Sequence, residues 1–329
     1  MERVLVRIPN WLGDALLARP LLHALRRAHP RAEVRVLGPA ALVELLSTDP
    51  VADAWEAWPA GARERRERIA WLRAWRPDAA LVLPPSFSSA WLAWRIGARV
   101  RIGYAHEGRS PLLTRALARP PRGERHLSDE YLELGRALGV EAGPTPALPV
   151  PAERREEALA LLRARAPAGG RVAILGPGAI YGPAKRWDQG RFALLAGALA
   201  RDGWRVLVCG AKSDREVCAE VAERAAAGVV SLAGETGITL QAALCSIASL
   251  AVCNDSGLAH VAAAVGAPTV VIFGSTSSAW SAPLGERVRV VQRAPVCSPC
   301  FQRTCRIGYV CLTAIAVEDV ARACREVAA

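Results

Sequence analysis

Short apolar runs alternate with longer amphipathic stretches through most of this chain. Runs of this length predict buried strands, and the stretches between them have the spacing of helices that bury one face. This alternation is typical of β-α-β units, which build a parallel sheet covered by helices. The pattern therefore predicts an α/β fold.

The predicted elements fall into two similar series. In the first half we expect strands near 3–8, 33–37, 79–83 and 99–102, and helices near 15–28, 40–47, 62–75, 88–96 and 128–138. In the second half we expect strands near 171–175, 205–209, 229–232, 249–253 and 269–273, and helices near 153–165, 189–201, 214–226, 239–247, 257–265 and 317–327.

A proline-rich stretch separates the two series. Four of the nine residues from Gly143 to Pro151 are proline, which cannot sustain a helix or a central strand. We therefore predict two doubly wound, Rossmann-like domains, 1–145 and 153–329, joined by a linker at 146–152. Ligands of such sheets bind beyond the carboxyl ends of the strands, so we expect functional residues in the loops that follow strands.

Composition narrows the class of protein. The chain has 329 residues, 52% of them apolar, and a formal net charge of +11 spread over both halves. A basic surface fits nucleic acid, phosphorylated glycolipid at an anionic membrane, or plain solvation of an arginine-rich exterior. No apolar run reaches the roughly 18 residues of a membrane span. The start, Met1–Ile8, resembles a first strand rather than a signal peptide, so we expect a cytoplasmic protein.

Lysine is scarce in this sequence. Of 42 basic residues only Lys185 and Lys212 are lysines. Arginine is a planar fork, whereas lysine is a compact point charge. A lysine that persists in so arginine-rich a chain indicates a position where a compact cation is needed.

The first candidate motif follows the first predicted strand. It contains Asn10, Trp11 and Gly13 and ends at Asp14, where the first helix opens. A carboxylate at the carboxyl edge of a sheet can accept a proton from an attacking hydroxyl. The alternative is that Asp14 only caps the helix.

The second motif follows the first strand of the second half. Gly178 and Ala179 begin an irregular loop rich in glycine and proline, which ends at Lys185 and Arg186. Backbone N–H groups of such a loop can cradle phosphates while the two cations neutralise them. It is neither a Walker loop nor a dinucleotide fingerprint. The alternative is a surface loop that happens to hold two basic residues.

The third motif joins an apolar strand to an alanine-rich helix through Asp255, Ser256 and Gly257, with His260 one turn on. A helix N-terminus offers free N–H groups and a partial positive charge, which suits a diphosphate. Asp255 could hold sugar hydroxyls. Alternatively, Asp255 or Ser256 caps the helix and His260 only packs.

Two weaker loops and a cysteine cluster complete the candidates. Lys212 and Glu235 lie in loops after strands, where Glu235 could bind ribose hydroxyls unless both loops are plain turns. Four cysteines are close together in the sequence, at 297, 300, 305 and 311. Their spacing is not that of a common zinc finger, so reduced thiols or a conditional disulfide compete with structural zinc. We predict no bound metal.

Taken together, the three motifs resemble the lipopolysaccharide heptosyltransferases of glycosyltransferase family 9. The resemblance lies in Pro9–Asp14, in Pro177–Trp187, in Asn254–Ala264 and more loosely in Leu232–Thr236, and it spans about residues 3–327. It implies the GT-B fold, in which two Rossmann-like domains face a central cleft. The N-terminal domain would receive the acceptor and the C-terminal domain the donor, with the last helix crossing back to the first domain.

The resemblance also implies a reaction. The donor would be ADP-L-glycero-β-D-manno-heptose and the acceptor the inner-core heptose on Kdo-lipid A, at the cytoplasmic face of the inner membrane and without nucleic acid or cofactor. Asp14 would be the catalytic base and Lys185 the phosphate ligand. The implied donor site extends to a wider set: Gly178, Ala179, Arg186, Lys212, Glu235, Asp255, Ser256, Gly257 and His260.

Other functions stay open at this point. The chain could use another nucleotide sugar or acceptor within the same family. It could also be a non-catalytic carbohydrate-binding module on a transferase fold, against which the joint presence of Asp14 and Lys185 argues. A dinucleotide oxidoreductase is disfavoured because neither half opens with the Gly-x-Gly-x-x-Gly pattern.

Overall fold

The computed structural model describes residues 1–166, 168, 170–225 and 228–328. The chain forms two compact units, Met1–Pro146 and Ala147–Ala329. Each unit is built on a parallel sheet with helices packed against it. No helix in the described ranges is long and apolar enough to cross a membrane.

The first unit contains one sheet in the order β3-β2-β1-β4-β5-β6. Its strands are β1 Arg3–Arg7, β2 Glu33–Gly38, β3 Ala54–Ala57, β4 Ala79–Val82, β5 Val100–Tyr104 and β6 Arg115–Leu117. Its helices are α1 Leu12–Leu17, α2 Arg19–Ala28, α3 Ala40–Leu46, α4 Ala62–Trp75, α5 Phe87–Ile96 and α6 Leu127–Arg136. All the strand pairs are parallel, and β4 is buried along its whole length, as a strand covered on both faces must be.

The second unit repeats this architecture, with the sheet order β12-β11-β10-β7-β8-β9 in its described part. Its strands are β7 Val172–Gly176, β8 Arg205–Val208, β9 Val229–Ser231, β10 Leu250–Asn254, β11 Thr269–Phe273 and β12 Val288–Gln292. Its helices are α7 Ala152–Arg165, α8 Gln189–Arg201, α9 Arg215–Arg224, α10 Ile238–Ser246, α11 Gly257–Ala264, α12 Ser278–Ser281, α13 Val310–Thr313 and α14 Val317–Ala328.

Both sheets have the same strand order when each is counted from its own first strand, and it is that of the Rossmann fold. The predicted fold class is therefore confirmed. In this order the direction in which successive strands are added to the sheet reverses between β1 and β4 in the first unit and between β7 and β10 in the second. Ligands bind at such switch points, beyond the carboxyl ends of the strands.

The sequence pattern missed three strands, all at or near sheet edges. These are the edge strands β3, β6 and β12, whose residues are mostly half-buried or exposed. Strands with this little burial need no apolar run, so the hydrophobic pattern does not mark them. The helix predicted over 15–28 is in fact two helices, because Pro20 lies at the start of α2, where its missing N–H is tolerated.

The final helix, α14, packs on β11 and β12 of the second unit. Its apolar face contributes Val320, Ala323, Cys324 and Val327 to the core of that unit. The expectation that this helix crosses to the first domain stays a prediction.

Candidate functional site

The second and third sequence motifs meet at the switch point of the second unit, and Asn254 joins them. This residue ends β10 and is fully buried. Its amide Nδ2 donates to the carbonyl of Pro177 at 2.7 Å, and its Oδ1 accepts from the backbone N–H of Trp187 at 3.0 Å. One side chain therefore satisfies the backbone at both ends of the 177–187 loop and fixes that loop against β10.

Lys185 is paired with Asp255 at this position. Lys185 ends a 3-10 turn, Pro183–Lys185, and its Nζ lies 2.5 Å from Oδ2 of Asp255. The hydroxyl of Thr276 donates to the same oxygen at 2.5 Å. The lysine side chain is 14% exposed and the aspartate 4%, so the pair is largely removed from solvent. The ammonium also lies 4.9 Å from the centre of the Tyr181 ring, within cation–π range.

The N-terminus of α11 adjoins this ion pair. The helix begins at Gly257 with Ser256 as its N-cap, and the Ser256 side chain makes no capping hydrogen bond. The alternative that Asp255 caps the helix is wrong, since its carboxylate is turned to Lys185 and Thr276. A lysine has three protons to donate, and uncapped helix N–H groups attract anions. Cation and helix end together form a site suited to a diphosphate.

The carboxyl group of Asp214 leaves no room for a side chain at position 178, so this position requires glycine. A Cβ at Gly178 would lie 2.3 Å from the carboxyl carbon of the buried Asp214. The same carboxylate accepts from the backbone N–H of Ala211 at 3.1 Å and lies 3.9 Å from the guanidinium of Arg186. Arg186 also donates through Nε to the carbonyl of Ala179 at 3.3 Å. Asp214, which the sequence motifs did not single out, thus connects the loop after β7 to the loop after β8.

The loop that carries the cysteines supports the Lys185 turn. The carbonyl of Arg303 accepts from the N–H of Ala184 at 3.1 Å, and the hydroxyl of Tyr181 donates to the carbonyl of Phe301 at 2.5 Å. Gly182 has a φ of +147°, and a Cβ there would lie 2.6 Å from the Arg303 carbonyl oxygen. Sequence reasoning missed this contact, whose only local signal was the Gly182-Pro183 dipeptide.

The cysteines themselves are free thiols with different environments. Cys297 is exposed, Cys300 and Cys305 are half-buried, and Cys311 is buried. The sulfur of Cys305 accepts from the backbone N–H of Tyr309 at 3.3 Å. Among the residues that the structure describes, no group of three or more His, Cys, Asp or Glu side chains is placed to hold a metal ion.

Three other donor-site candidates are Glu235, Lys212 and His260. Glu235 is exposed and paired with Arg165, whose hydrogen bond and charge lower the pKa of this carboxyl. Lys212 is exposed, and its backbone lies against Gly234, so the structure brings the two weaker loops together. His260 is buried within α11.

The first motif occupies the corresponding position in the first unit. Trp11 is exposed and is the N-cap residue of α1, so Asp14 is the third residue of the helix and the capping alternative is wrong. Asn10 accepts from the guanidinium of the buried Arg7 at 2.6 Å. Burial raises the pKa of Tyr131 well above its ordinary value, and the charge of the half-buried Asp14 raises it further.

Comparison with known proteins agrees with these features. The model of glycosyltransferase family 9 (heptosyltransferase) matches residues 66–310. The lipopolysaccharide heptosyltransferase 2 of Salmonella typhimurium is 32% identical over 305 residues, covering 88% of each chain. The solved ADP-heptose lipopolysaccharide heptosyltransferase II of Escherichia coli superposes with a TM-score of 0.83 at 28% identity, covering 100% of this chain and 98% of that one.

A family 9 glycosyltransferase structure from Veillonella parvula gives a TM-score of 0.86 at 23% identity, with 99% and 97% of the two chains covered. This likeness shows the shared fold. The GT-B class expected from the motifs is therefore confirmed. Since the family model covers well over half of the sequence, the chain belongs to glycosyltransferase family 9, the heptosyltransferases.

Proposed function

We propose that this protein transfers L-glycero-D-manno-heptose from ADP-heptose to the inner-core heptose of Kdo-lipid A, with inversion at the anomeric carbon. The observation that supports it best is the Lys185–Asp255 pair beside the N-terminus of α11, at the switch point of the second sheet. The relatives that match over 88% of the chain are named as heptosyltransferases of lipopolysaccharide, which supports the choice of sugar and acceptor.

The second unit would bind the donor. Lys185 and the first N–H groups of α11 would hold the diphosphate and stabilise the negative charge that grows on it as the sugar leaves. Arg186 would add a second cation, held in place by Asp214. Thr276 and Lys185 orient the Asp255 carboxylate, which would accept hydrogen bonds from donor hydroxyls. Gly178 and Ala179 would let the loop backbone approach the donor closely.

The first unit would supply the base. In a single displacement, an acceptor hydroxyl oxygen bonds to the anomeric carbon while the bond from that carbon to the diphosphate oxygen breaks. Asp14 would take the hydroxyl proton, and ADP would leave with the electron pair of the broken bond. Asn10, Trp11 and Gly13 would form the acceptor-side loop, in which Arg7 fixes Asn10. Cations and helix N–H groups would do the work that a metal ion does in other transferases, so we expect no metal requirement.

The acceptor is a lipid, so we further propose that the enzyme acts at the cytoplasmic face of the inner membrane. The formal net charge of +11 supports attraction to an anionic bilayer and to a phosphorylated glycolipid. Nucleic acid is not a partner in this proposal.

The test is a calorimetric titration of the purified protein with ADP-heptose, ADP, UDP and GDP without added metal, followed by a transfer assay on heptosylated Kdo-lipid A. We expect the adenine ligands to bind selectively and product to form. A preference for UDP or GDP would support a glycosyltransferase that uses a different nucleotide-sugar donor. Binding of none of the four nucleotides would favour a carbohydrate-binding module instead.

A further inference from the structure

The outer surface of α5 carries a stripe of exposed aromatic side chains. Phe87, Trp91 and Trp94 are 48%, 39% and 49% exposed, and their spacing of four and three residues places them on one face of the helix. The opposite face is buried, with Ala90, Ala93 and Ile96 in the core of the first unit. The helix is therefore apolar on both faces, although only one is needed for packing.

The neighbouring helix borders the aromatic stripe of α5. Helix α4 packs beside α5, and Ile69 and Leu72 of α4 enter the same core cluster as the buried face of α5. Both helices therefore cover the same side of the sheet. Grouped exposed aromatics of this kind mark an interaction surface, whereas scattered ones do not.

The excess positive charge of the first unit is concentrated in the same segment. Residues 58–104, which include both helices, contain nine arginines and three carboxylates. The rest of residues 1–146 contains thirteen basic and thirteen acidic residues, so its net charge is zero. Exposed arginines flank the aromatic stripe, among them Arg66 and Arg73 on α4 and Arg95 on α5.

We propose that this α4–α5 face, formed by Arg66, Arg73, Phe87, Trp91, Trp94 and Arg95, docks the enzyme on an anionic phospholipid bilayer. Indole rings partition to the headgroup level of a membrane, and arginines beside them pair with lipid phosphates. The choice of surface rests on the proposed function, because a lipid acceptor must be reached in its membrane.

The charge and the shape of the face argue against two other occupants. A symmetric contact with a second copy would bring the same arginines together, and like charges repel. Single-stranded nucleic acid is bound in grooves that follow its backbone, whereas these aromatics lie on the outer surface of a regular helix. An anionic bilayer is extended and complementary in charge, and it accepts aromatic side chains from a convex surface.

The experiment is vesicle flotation of the full chain with phosphatidylcholine alone and with phosphatidylcholine and phosphatidylglycerol at about 7:3. We expect binding only to the anionic vesicles. The variant Trp91→Ser/Trp94→Ser should bind about tenfold more weakly or worse, since two apolar side chains no longer enter the interface. Arg66→Gln, Arg73→Gln and Arg95→Gln should each weaken binding about fivefold, and about 0.5 M NaCl should remove most of that difference.

Matched controls come from the second unit. Leu194→Ser removes an apolar side chain of α8 that is even more exposed, and Arg201→Gln removes an exposed arginine at the end of the same helix. Both should bind vesicles like the unaltered protein. Equal binding by the tryptophan variant, or no binding by the unaltered protein, would overturn the proposal. The proposal would also be overturned if sedimentation showed a dimer that the Trp91→Ser/Trp94→Ser substitutions abolish. The same holds if the unaltered protein, but not this variant, retained a single-stranded oligonucleotide.

Activity separates this proposal from the proposed function. The tryptophan variant should retain ADP affinity and transfer heptose normally to a deacylated, water-soluble acceptor, and lose activity only on acceptor embedded in anionic vesicles. Equal loss on both acceptors would contradict membrane docking as the role of this face. Vesicle binding by a protein that transfers no heptose would refute the proposed function and leave the docking surface standing.

Discussion

The two units share one strand order but fix their switch points with different polar groups. In the second unit Asn254 joins two loops, and Lys185 meets Asp255 where a ligand is expected. In the first unit two of the buried arginines, Arg7 and Arg109, bond mainly to main-chain oxygens, while a third, Arg19, is paired with Asp49. Arg7 donates to the carbonyl of Ile8, and Arg109 to those of Pro84 and Tyr104.

The two kinds of buried cation have different roles, one in holding loops and the other in contacting a ligand. Burial lowers the pKa of Arg7 and of Arg109 to about 10, so both remain charged at neutral pH and hold the loop backbone. Lys185 instead forms an ion pair with a carboxylate, and its ammonium has three N–H donors, so it can also donate to a ligand. The shared fold determines where loops converge, and the side chains in those loops determine what they can bind.

The largest expected effect belongs to the carboxylate of the first unit. Asp14→Asn should reduce turnover about 100-fold or more, because the amide cannot accept the proton of the acceptor hydroxyl. ADP affinity should be unchanged, since donor binding is assigned to the second unit. Steady-state transfer and ADP calorimetry measure the two quantities. Asp129→Asn, at an exposed aspartate near the start of α6, is the control, and equal activity of the two variants would remove Asp14 from the role of base.

The second prediction compares the two asparagines. Asn254→Ala leaves a buried carbonyl and a buried N–H without partners, which should lower the free energy of unfolding by about 2–4 kcal/mol. Asn10→Ala, at an exposed residue that accepts one bond from Arg7, should cost less than about 1 kcal/mol. Urea denaturation measures both changes. Similar losses would mean that Asn254 does not couple its two loops.

The third prediction compares the two lysines. Lys185→Ala should weaken ADP binding about tenfold or more, whereas Lys212→Ala, at an exposed position, should weaken it about threefold or less. Calorimetry measures both affinities. Lys185→Arg keeps a cation beside Asp255 and serves to separate loss of binding from loss of folding. Unchanged ADP affinity in Lys185→Ala would refute the phosphate assignment.

The smallest effect is expected at Glu235. Its pair with Arg165 is exposed, so Glu235→Gln should change the free energy of unfolding by less than about 0.5 kcal/mol. Because the pair lowers the pKa of Glu235, this small contribution is present at neutral pH and disappears as the pH falls through the range where the carboxyl is protonated. A loss of ADP affinity in Glu235→Gln, with stability unchanged, would establish the carboxylate as a ribose ligand.

The candidate site was predictable only in part. Each motif adjoins a strand end, and the rarity of lysine drew attention to Lys185. The partner of that lysine is 70 positions away in the sequence, and no local pattern pairs it with Asp255. Asp214 and Arg303 were missed for the same reason, since both act on Gly178 or Gly182 through contacts that exist only in the folded chain.

The sequence by itself determined the two-domain α/β architecture, because an interior buried on both sides of a sheet requires apolar runs at regular intervals. It also determined which loops hold glycines and cations. Tertiary structure decided the edge strands, whose partial burial leaves no hydrophobic signature, and the break before α2. It alone decided that Asn254 and the cysteine-bearing loop hold the Lys185 turn and that Thr276 holds Asp255, since buried polar groups find partners across strands rather than along the chain.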